Sequence, residues 1–373
     1  MGSLEVLTLQ DREKWNSVLA GIPNANVSAT PDYCRVFEDN DDGQAICLNY
    51  EHDLGHVSYP FFKRSLNALP FDHSLKKDAF DTSTPFGYGG IHMDCDLSNR
   101  EKLAFSFRSA MTEYANDTGI ISEFIRFDPM VQNHIPFKKH LDQVRHHSNN
   151  LIIDLKKTEH RLLADCRERI RTGIRQTARL GLEIESLQTP DVVSQFTHLY
   201  ETAMKRRGNL GYLNFKPQFF NALLSNLEDK AQLFLVREHE TVLAAAIVLK
   251  NGSTLDYFLA ANLRSPDRPY VNHFLIYETA KWAKAEGFER FHLGGGTESI
   301  MYFKSSFTKE TIPYFVGNHI FDHTAYAALV QSGQRSGHIP AIIPPFFFPA
   351  YRAFLSENSD RALLDALNSP QSV

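Results

Sequence analysis

The sequence predicts an α/β chain made of two globular halves, and three observations lead there. Its 373 residues exceed what one small module needs and suit two or three domains. A content of 43% hydrophobic and 22% charged residues is that of a packed globular chain rather than a disordered or fibrous one. Short strand-like runs are interspersed with amphipathic helical runs, and no repeat of solenoid or propeller length occurs.

Taken in order, residues 45–50 and 57–62 read as strands, 100–118 as a helix and 120–127 as a further extended run. The polar stretch 145–150, rich in His and Asn, is expected to be the boundary before the strand-like LIIDL of residues 151–155. A charged helix is predicted over 158–180. Its apolar positions Leu162, Cys166, Ile170, Ile174 and Ala178 recur every four residues, and Gly181 ends it as a C-cap. Helices over 192–207 and 217–227 precede strands at 231–237, 242–250 and 254–260, an order that suggests a meander turned at Asn251-Gly252. After the loop 262–269 come an amphipathic helix over 271–286, stopped by Gly287, and a strand at 290–293 running into Gly294-Gly295-Gly296.

Composition also excludes functions. A formal net charge of −5 argues against a whole-molecule polyanion binder, and no DNA partner is expected. Cys34, Cys47, Cys95 and Cys166 form no CxxC pair and read as free thiols in a reducing compartment. Among 16 histidines, the adjacent His146 and His147 would point apart in a strand, and nothing resembles a zinc signature, so no metal is expected. The absence of a GxSxG elbow and of a Walker loop removes support for covalent catalysis and ATP hydrolysis. Residues 1–15 are charged and lack an apolar core, so a signal peptide is not expected and a cytoplasmic location is. Residues 339–351 hold four prolines and are too short and broken to span a membrane. Their Phe346, Phe347 and Phe348 are expected to be covered by the protein body or a second subunit.

The segment YVNHFLIYETAKWAKAEGFERFHLGGG of residues 270–296, with MYFKSSFT of 301–308 and PYFVGNHIFD of 313–322, resembles tandem GNAT proteins related to the Fem peptidyltransferases. Residues 152–186 are similar to the same family's strand and Arg-containing helix, and PFGYGGIHMD of 85–94 resembles a motif of its first domain. The resemblance covers about residues 85–322 and implies an α+β fold of two GNAT-like domains, each a mixed, mainly antiparallel sheet flanked by helices. The expected domains are 1–150, a donor-binding 151–330, and a Pro/Phe-rich docking tail over 331–373.

The resemblance also implies site residues. Lys304, in Phe303-Lys304-Ser305-Ser306-Phe307, matches an FK-x-x-F pattern, and its ammonium there would neutralise donor phosphate or a developing oxyanion. Gly294 and Gly295 would open the backbone to substrate. Ordinary acetyltransferases cradle the CoA pyrophosphate in a glycine-rich turn before this helix. Here that turn is 264–269, so Arg264 and Arg268 would supply charge, with Asn272 at the helix start. Arginines 167, 171, 175 and 179 form a stripe, and Arg171 and Arg175 are the expected contacts to a nucleotide diphosphate, with Tyr88 toward the acceptor. Asp94, His92, Asp256 and His292 are the candidate bases for deprotonating an amine. Asp94 sits where some Fem sequences have GPxxD, with Ile91 replacing the proline. The leading expectation is an N-acyltransferase that moves an acyl group from acyl-CoA to the amine of a nucleotide-linked amino sugar, for cell-surface glycan assembly. An aminoacyl-tRNA-dependent transferase acting on a peptidoglycan precursor and a noncatalytic GNAT-like binding protein are the alternatives.

Overall fold

The computed structural model describes residues 2–73, 75, 78–208, 211–344 and 347–354. They fall into two compact units. One runs to Ser148 and resumes at Pro313; the other spans Asn149–Ile312.

The first unit opens with β1 (Ser3–Thr8), α1 (Arg12–Ala20) and α2 (Pro31–Glu38), followed by β2 (Gln44–His52), β3 (Gly55–Ser65), β4 (Phe80–Ser83) and β5 (His92–Asp94). Helix α3 (Arg100–Thr118) leads into β6 (Ile120–Arg126). Local chemistry sets these ends. The Thr30 hydroxyl accepts from the Tyr33 amide ahead of Pro31 at the start of α2, and α3 stops at Gly119, whose φ is 71°. Leu103, Phe107 and Met111 on α3 pack on Tyr59, Phe61 and Ile125 of the sheet, giving this unit its core.

In the second unit, β7 (Gln143–Asp154) enters from the first and is followed by α4 (Glu159–Asp165), α5 (Glu168–Ala178), β8 (Glu183–Ser186), α6 (Pro190–Arg206) and α7 (Pro217–Leu227). Then come β9 (Ala231–Glu238), β10 (Thr241–Asn251), β11 (Thr254–Asn262), α8 (Val271–Ala285), β12 (Arg290–Gly294) and α9 (Glu298–Lys304). Phe274, Leu275, Ala280 and Ala283 of α8 lie on Val248, Leu255 and Phe291 of the sheet. The chain then returns to the first unit with β13 (Thr311–Ile320) and α10 (His323–Arg335).

The units share one plan. Strand, two helices, a run of strands, helix, strand is the order from β1 to β6 and again from β8 to β12; the run is β2–β5 in the first unit, where the short β5 pairs with β3, and β9–β11 in the second. Antiparallel pairs run β1-β2-β3-β4 and β8-β9-β10-β11. Each meander ends on a parallel neighbour, β6 or β12, across which β13 or β7 adds an antiparallel strand. These are two GNAT-like mixed sheets flanked by helices.

One expectation about an element needs correction. The predicted helix over 158–180 is two helices, because Cys166 is extended at φ −64°, ψ 148° and the Arg167 amide turns to the Ser306 carbonyl at 2.9 Å. The apolar period continues across the break, so periodicity alone did not reveal it. The polar stretch 145–150, expected as the boundary, lies within the strand β7, and the two units divide inside it, between Ser148 and Asn149. Strand alternation puts His146 against Phe315 and His147 against Tyr314, so these polar rings find packing partners on opposite faces.

The tail is anchored to the first unit. Ile339 and Tyr351 are buried with Leu66, Phe71 and Leu329, Phe347 packs against them, and Phe348 stacks on Tyr326 and Phe124. Phe346 and residues 355–373, which the expected tail included, lie outside the described residues. No helix among the described residues is long and apolar enough to cross a membrane.

Candidate active site

The two sheets differ where their parallel strands meet. In the first unit β4 pairs with β6 along its whole length, from Phe80 to Ser83. In the second unit β11 and β12 pair only at Thr254–Arg290, Leu255–Phe291 and Asp256–His292. Beyond that point they part. The β10–β11 register shifts at Ile247/Val248, leaving Phe258 as the extra residue, and the β12–β7 register shifts between His292 and Gly294. Bulges bend and twist the strands that carry them, so both strands turn at the place where the gap begins.

A buried polar chain marks this junction. His292 is 1% exposed; its Nδ1 lies 2.7 Å from Asp256 Oδ1, and its Nε2 lies 3.1 Å from the side-chain amide nitrogen of Asn150. Asn251 donates to the other Asp256 oxygen. A carboxylate only accepts, so Nδ1 carries the proton and Nε2 accepts from Asn150. Both nitrogens of His292 are thus engaged, and the imidazole is oriented rather than presented.

The three glycines after β12 lead to the lysine. Gly294 and Gly296 adopt φ of 73° and 148°, the left-handed backbone that glycine accepts without strain. The Gly295 carbonyl accepts from Lys304 Nζ at 2.6 Å. Lys304 ends α9 and is buried, and desolvation lowers its pKa to about 7, so a neutral amine is accessible near neutrality.

At the head of α8, the Asn272 side-chain oxygen and His273 Nδ1 are buried without a hydrogen-bond partner. Of the two arginines expected here, Arg268 is ion-paired with Glu238, whereas Arg264 is exposed. Arg264 adds to the positive field at Arg206 together with Arg207. Sequence reading missed Arg206 and Arg207, whose signal was an adjacent arginine pair at the end of α6. It also missed Asn150 and Asn251, which sat in stretches read as boundary and turn.

The stripe on α5 is divided. Arg171 turns back to donate to the carbonyls of Ala164 at 2.9 Å and Cys166 at 3.0 Å, closing the end of α4. Arg175 is exposed. Arg167 donates to Ser305 Oγ at 2.6 Å and lies over Tyr302, and Arg169 donates to the Tyr270 hydroxyl at 2.9 Å.

The remaining candidates belong to the first unit. His92 is buried on β5, where burial holds its imidazole down at about 4, and its Nε2 has no hydrogen-bond partner. Asp94, two residues on, is exposed. Tyr88 sits edge-on to Tyr314, with ring centroids 5.0 Å apart. A groove of about 360 Å³ in the second unit, lined by Ile184, Phe234 and Trp282, shares none of the candidate residues. Among the described residues no three His, Cys, Asp or Glu side chains gather as a metal site.

Comparison with known proteins gives this geometry a class. Residues 164–305, which include α5, the meander, α8, β12 and α9, match the family model described as an acetyltransferase (GNAT) domain. No curated protein matches the chain. The crystal structure of FemX superposes with a TM-score of 0.64 at 16% identity, covering 87% of this chain and 99% of that one. L-PGS from Bacillus licheniformis superposes at 0.54 with 11% identity, covering 83% of this chain and 92% of its own. A conserved protein of unknown function from Bacteroides thetaiotaomicron gives 0.55 at 12% identity, covering 86% of this chain and all 100% of the other. These likenesses speak for the fold and the domain match for the chemistry: residues 164–305 carry a GNAT acyltransferase domain, and the chain is an N-acyltransferase of that fold.

Proposed function

We propose that the protein transfers an acyl group from a CoA thioester to the amine of a nucleotide-linked amino sugar, by direct attack in a ternary complex. The observation that carries the reading is the parting of β11 from β12 just after Asp256 and His292, with Lys304, its pKa lowered to about 7, bonded from the end of α9 to the glycine turn that follows. A gap between parted strands leaves backbone groups that need partners, and the amides of a pantetheine arm are suitable ones. In the first unit β4 stays paired with β6 to its last residue, so the donor is assigned to the second.

In this reading the amine nitrogen attacks the thioester carbonyl, the carbon–sulfur bond breaks, and the amine proton passes to Lys304 and from it to the leaving thiolate. The products are the amide and the CoA thiol. Asp256, His292 and Asn150 hold the two strands and the glycine turn in place, and act as positioning residues. Arg264, with Arg206 and Arg207, supplies the charge for donor phosphates that a glycine-rich turn supplies elsewhere. The net charge of −5 supports a small nucleotide-linked acceptor over a tRNA, whose backbone calls for an extended basic surface.

A second reading, transfer of an aminoacyl group from charged tRNA, is favoured by one observation. The turn before α8, residues 264–269, lacks the glycine-rich cradle. Thiol release from a panel of acyl-CoAs, measured with nucleotide-linked amino sugars as acceptors, separates the two. Amide formed only when aminoacyl-tRNA is supplied would overturn the first.

A further inference from the structure

The sheet of the second unit stops at a bare edge. Strand β8 pairs antiparallel with β9 alone, Ile184 opposite Val236 and Ser186 opposite Phe234. Among the described residues no other strand bonds it, so one side of its backbone still presents N–H and C=O groups. Residues 183–186 hold no proline and pair without a register shift, so the glutamates at 183 and 185 are what guard this short edge. Such a guard turns away an acidic strand and admits a basic one.

Apolar side chains collect along the same edge. Leu180 and Leu187, which flank β8, are each 47% exposed, and Ile184 is 37% exposed. Beside Ile184 runs the groove of about 360 Å³, with Phe234 of β9 and Trp282 of α8 in its wall. Side chains alternate across a strand and neighbouring strands lie about 4.8 Å apart, so a strand laid against β8 directs every second side chain to the face of Ile184. The groove therefore lies where the inward side chains of one more strand belong.

Charge selects the occupant. Glu185 and Glu278 of the groove are paired with Arg237 and Lys281, each at 2.9 Å. Glu159 at the groove and Glu183 on β8 are exposed and make no ion pair among the described residues. The unneutralised charge of the edge is thus negative. A second copy's β8 would set Glu183 and Glu185 against the same two residues, and like charges on facing strands destabilise a ladder.

We propose that β8 and the groove at Ile184, Phe234 and Trp282 form a docking edge for an extended basic polypeptide segment, in which apolar residues alternate with Lys or Arg. Backbone bonds to β8 supply affinity, the groove takes the apolar residues, and Glu183 and Glu159 meet the basic ones. None of these residues takes part in the acyl transfer proposed above.

The chain's two tryptophans give the test its signal. Trp15 is fully buried in the first unit, whereas Trp282 lines the groove, so a docked segment should change the Trp282 emission. The probe is a short capped peptide alternating Lys and Ile, titrated into the full chain. Its binding should saturate, and Trp282→Phe should abolish the emission change. Ile184→Lys should weaken binding about tenfold or more and Glu159→Gln about threefold. On the unaltered chain, the peptide with Glu in place of Lys should bind about tenfold or more weaker, and so should one with a central proline, which cannot complete the ladder. These two peptides decide if Ile184→Lys fails to fold. No saturable change with the Lys–Ile peptide, equal binding by a folded Ile184→Lys, or equal binding of the Glu peptide overturns the proposal. A chain that sediments as a dimer and becomes monomeric in Ile184→Lys overturns it too, since a second copy then holds the edge.

Discussion

Lys304 shows how much chemistry one buried side chain carries. Its pKa falls from 10.5 to about 7 through desolvation, so the unfolded chain holds the proton more tightly than the folded one. The resulting penalty on the folded state is fully present below about pH 7 and fades as pH rises toward the unfolded value. Lys304→Met removes it. The Tm of that variant relative to the unaltered protein should therefore be higher at pH 6 than at pH 9, and a pH-independent difference would contradict the burial account. Its kcat/KM should drop by about a hundredfold or more if the amine takes the proton, and the unaltered rate should climb through about pH 7. His292 behaves differently, because Asp256 and Asn150 occupy both its nitrogens. Asp256→Asn should lower stability to urea by about 1–3 kcal/mol, with a smaller effect on kcat than Lys304→Met. Lys304, Asp256 and His292 were legible in the sequence because they sit in or beside recognisable strand and glycine patterns. Asn150 was not, since an Asn among polar neighbours reads as a linker until a partner from a distant strand is known.

Elements with a strong apolar period or a clear stop were readable to within a few residues. Helix α3 matches its expected range, and α7 and the β9–β10–β11 meander follow theirs closely. Short β4, β5 and β8 carry too few residues for alternation to register, and their pairing is set by long-range register. The break between α4 and α5 was hidden for a related reason. The four-residue apolar spacing persists through it, while the cause lies in the Arg167 amide bonding Ser306 and in Arg171 capping α4. This assigns the two stripe arginines different outcomes. Arg171→Gln should lose roughly 1–3 kcal/mol in denaturant unfolding, whereas Arg175→Gln, on an exposed site, should stay within about 0.5 kcal/mol. Equal stabilities would mean that Arg171 does not hold the end of α4.

Across the chain, Asp81 ties the tail to the first unit. It is fully buried and receives Arg352 at 2.6 and 3.0 Å, Arg64 at 2.8 Å and the Tyr351 hydroxyl at 3.1 Å. Burial alone would raise its pKa, but Arg64 and Arg352 outweigh it and hold the carboxyl below its usual value. A depressed carboxylate stabilises above its unfolded pKa and loses that contribution as pH falls, so the docked tail should loosen in acid. Asp81→Asn leaves two guanidiniums facing a neutral amide and should cost about 3–5 kcal/mol, with tryptic cleavage near Arg352 as the local readout. Unchanged protease resistance would speak against the anchor. The return of β13 to the first sheet has a consequence of another kind. A ribosome making this protein emits β6 long before the strand that completes its edge, and the whole of the contiguous second unit is synthesised in between. The unit begun first must therefore be finished last, so a nascent or truncated chain ending near Ile312 offers a bare sheet edge to its neighbours, the kind of edge from which aggregates grow.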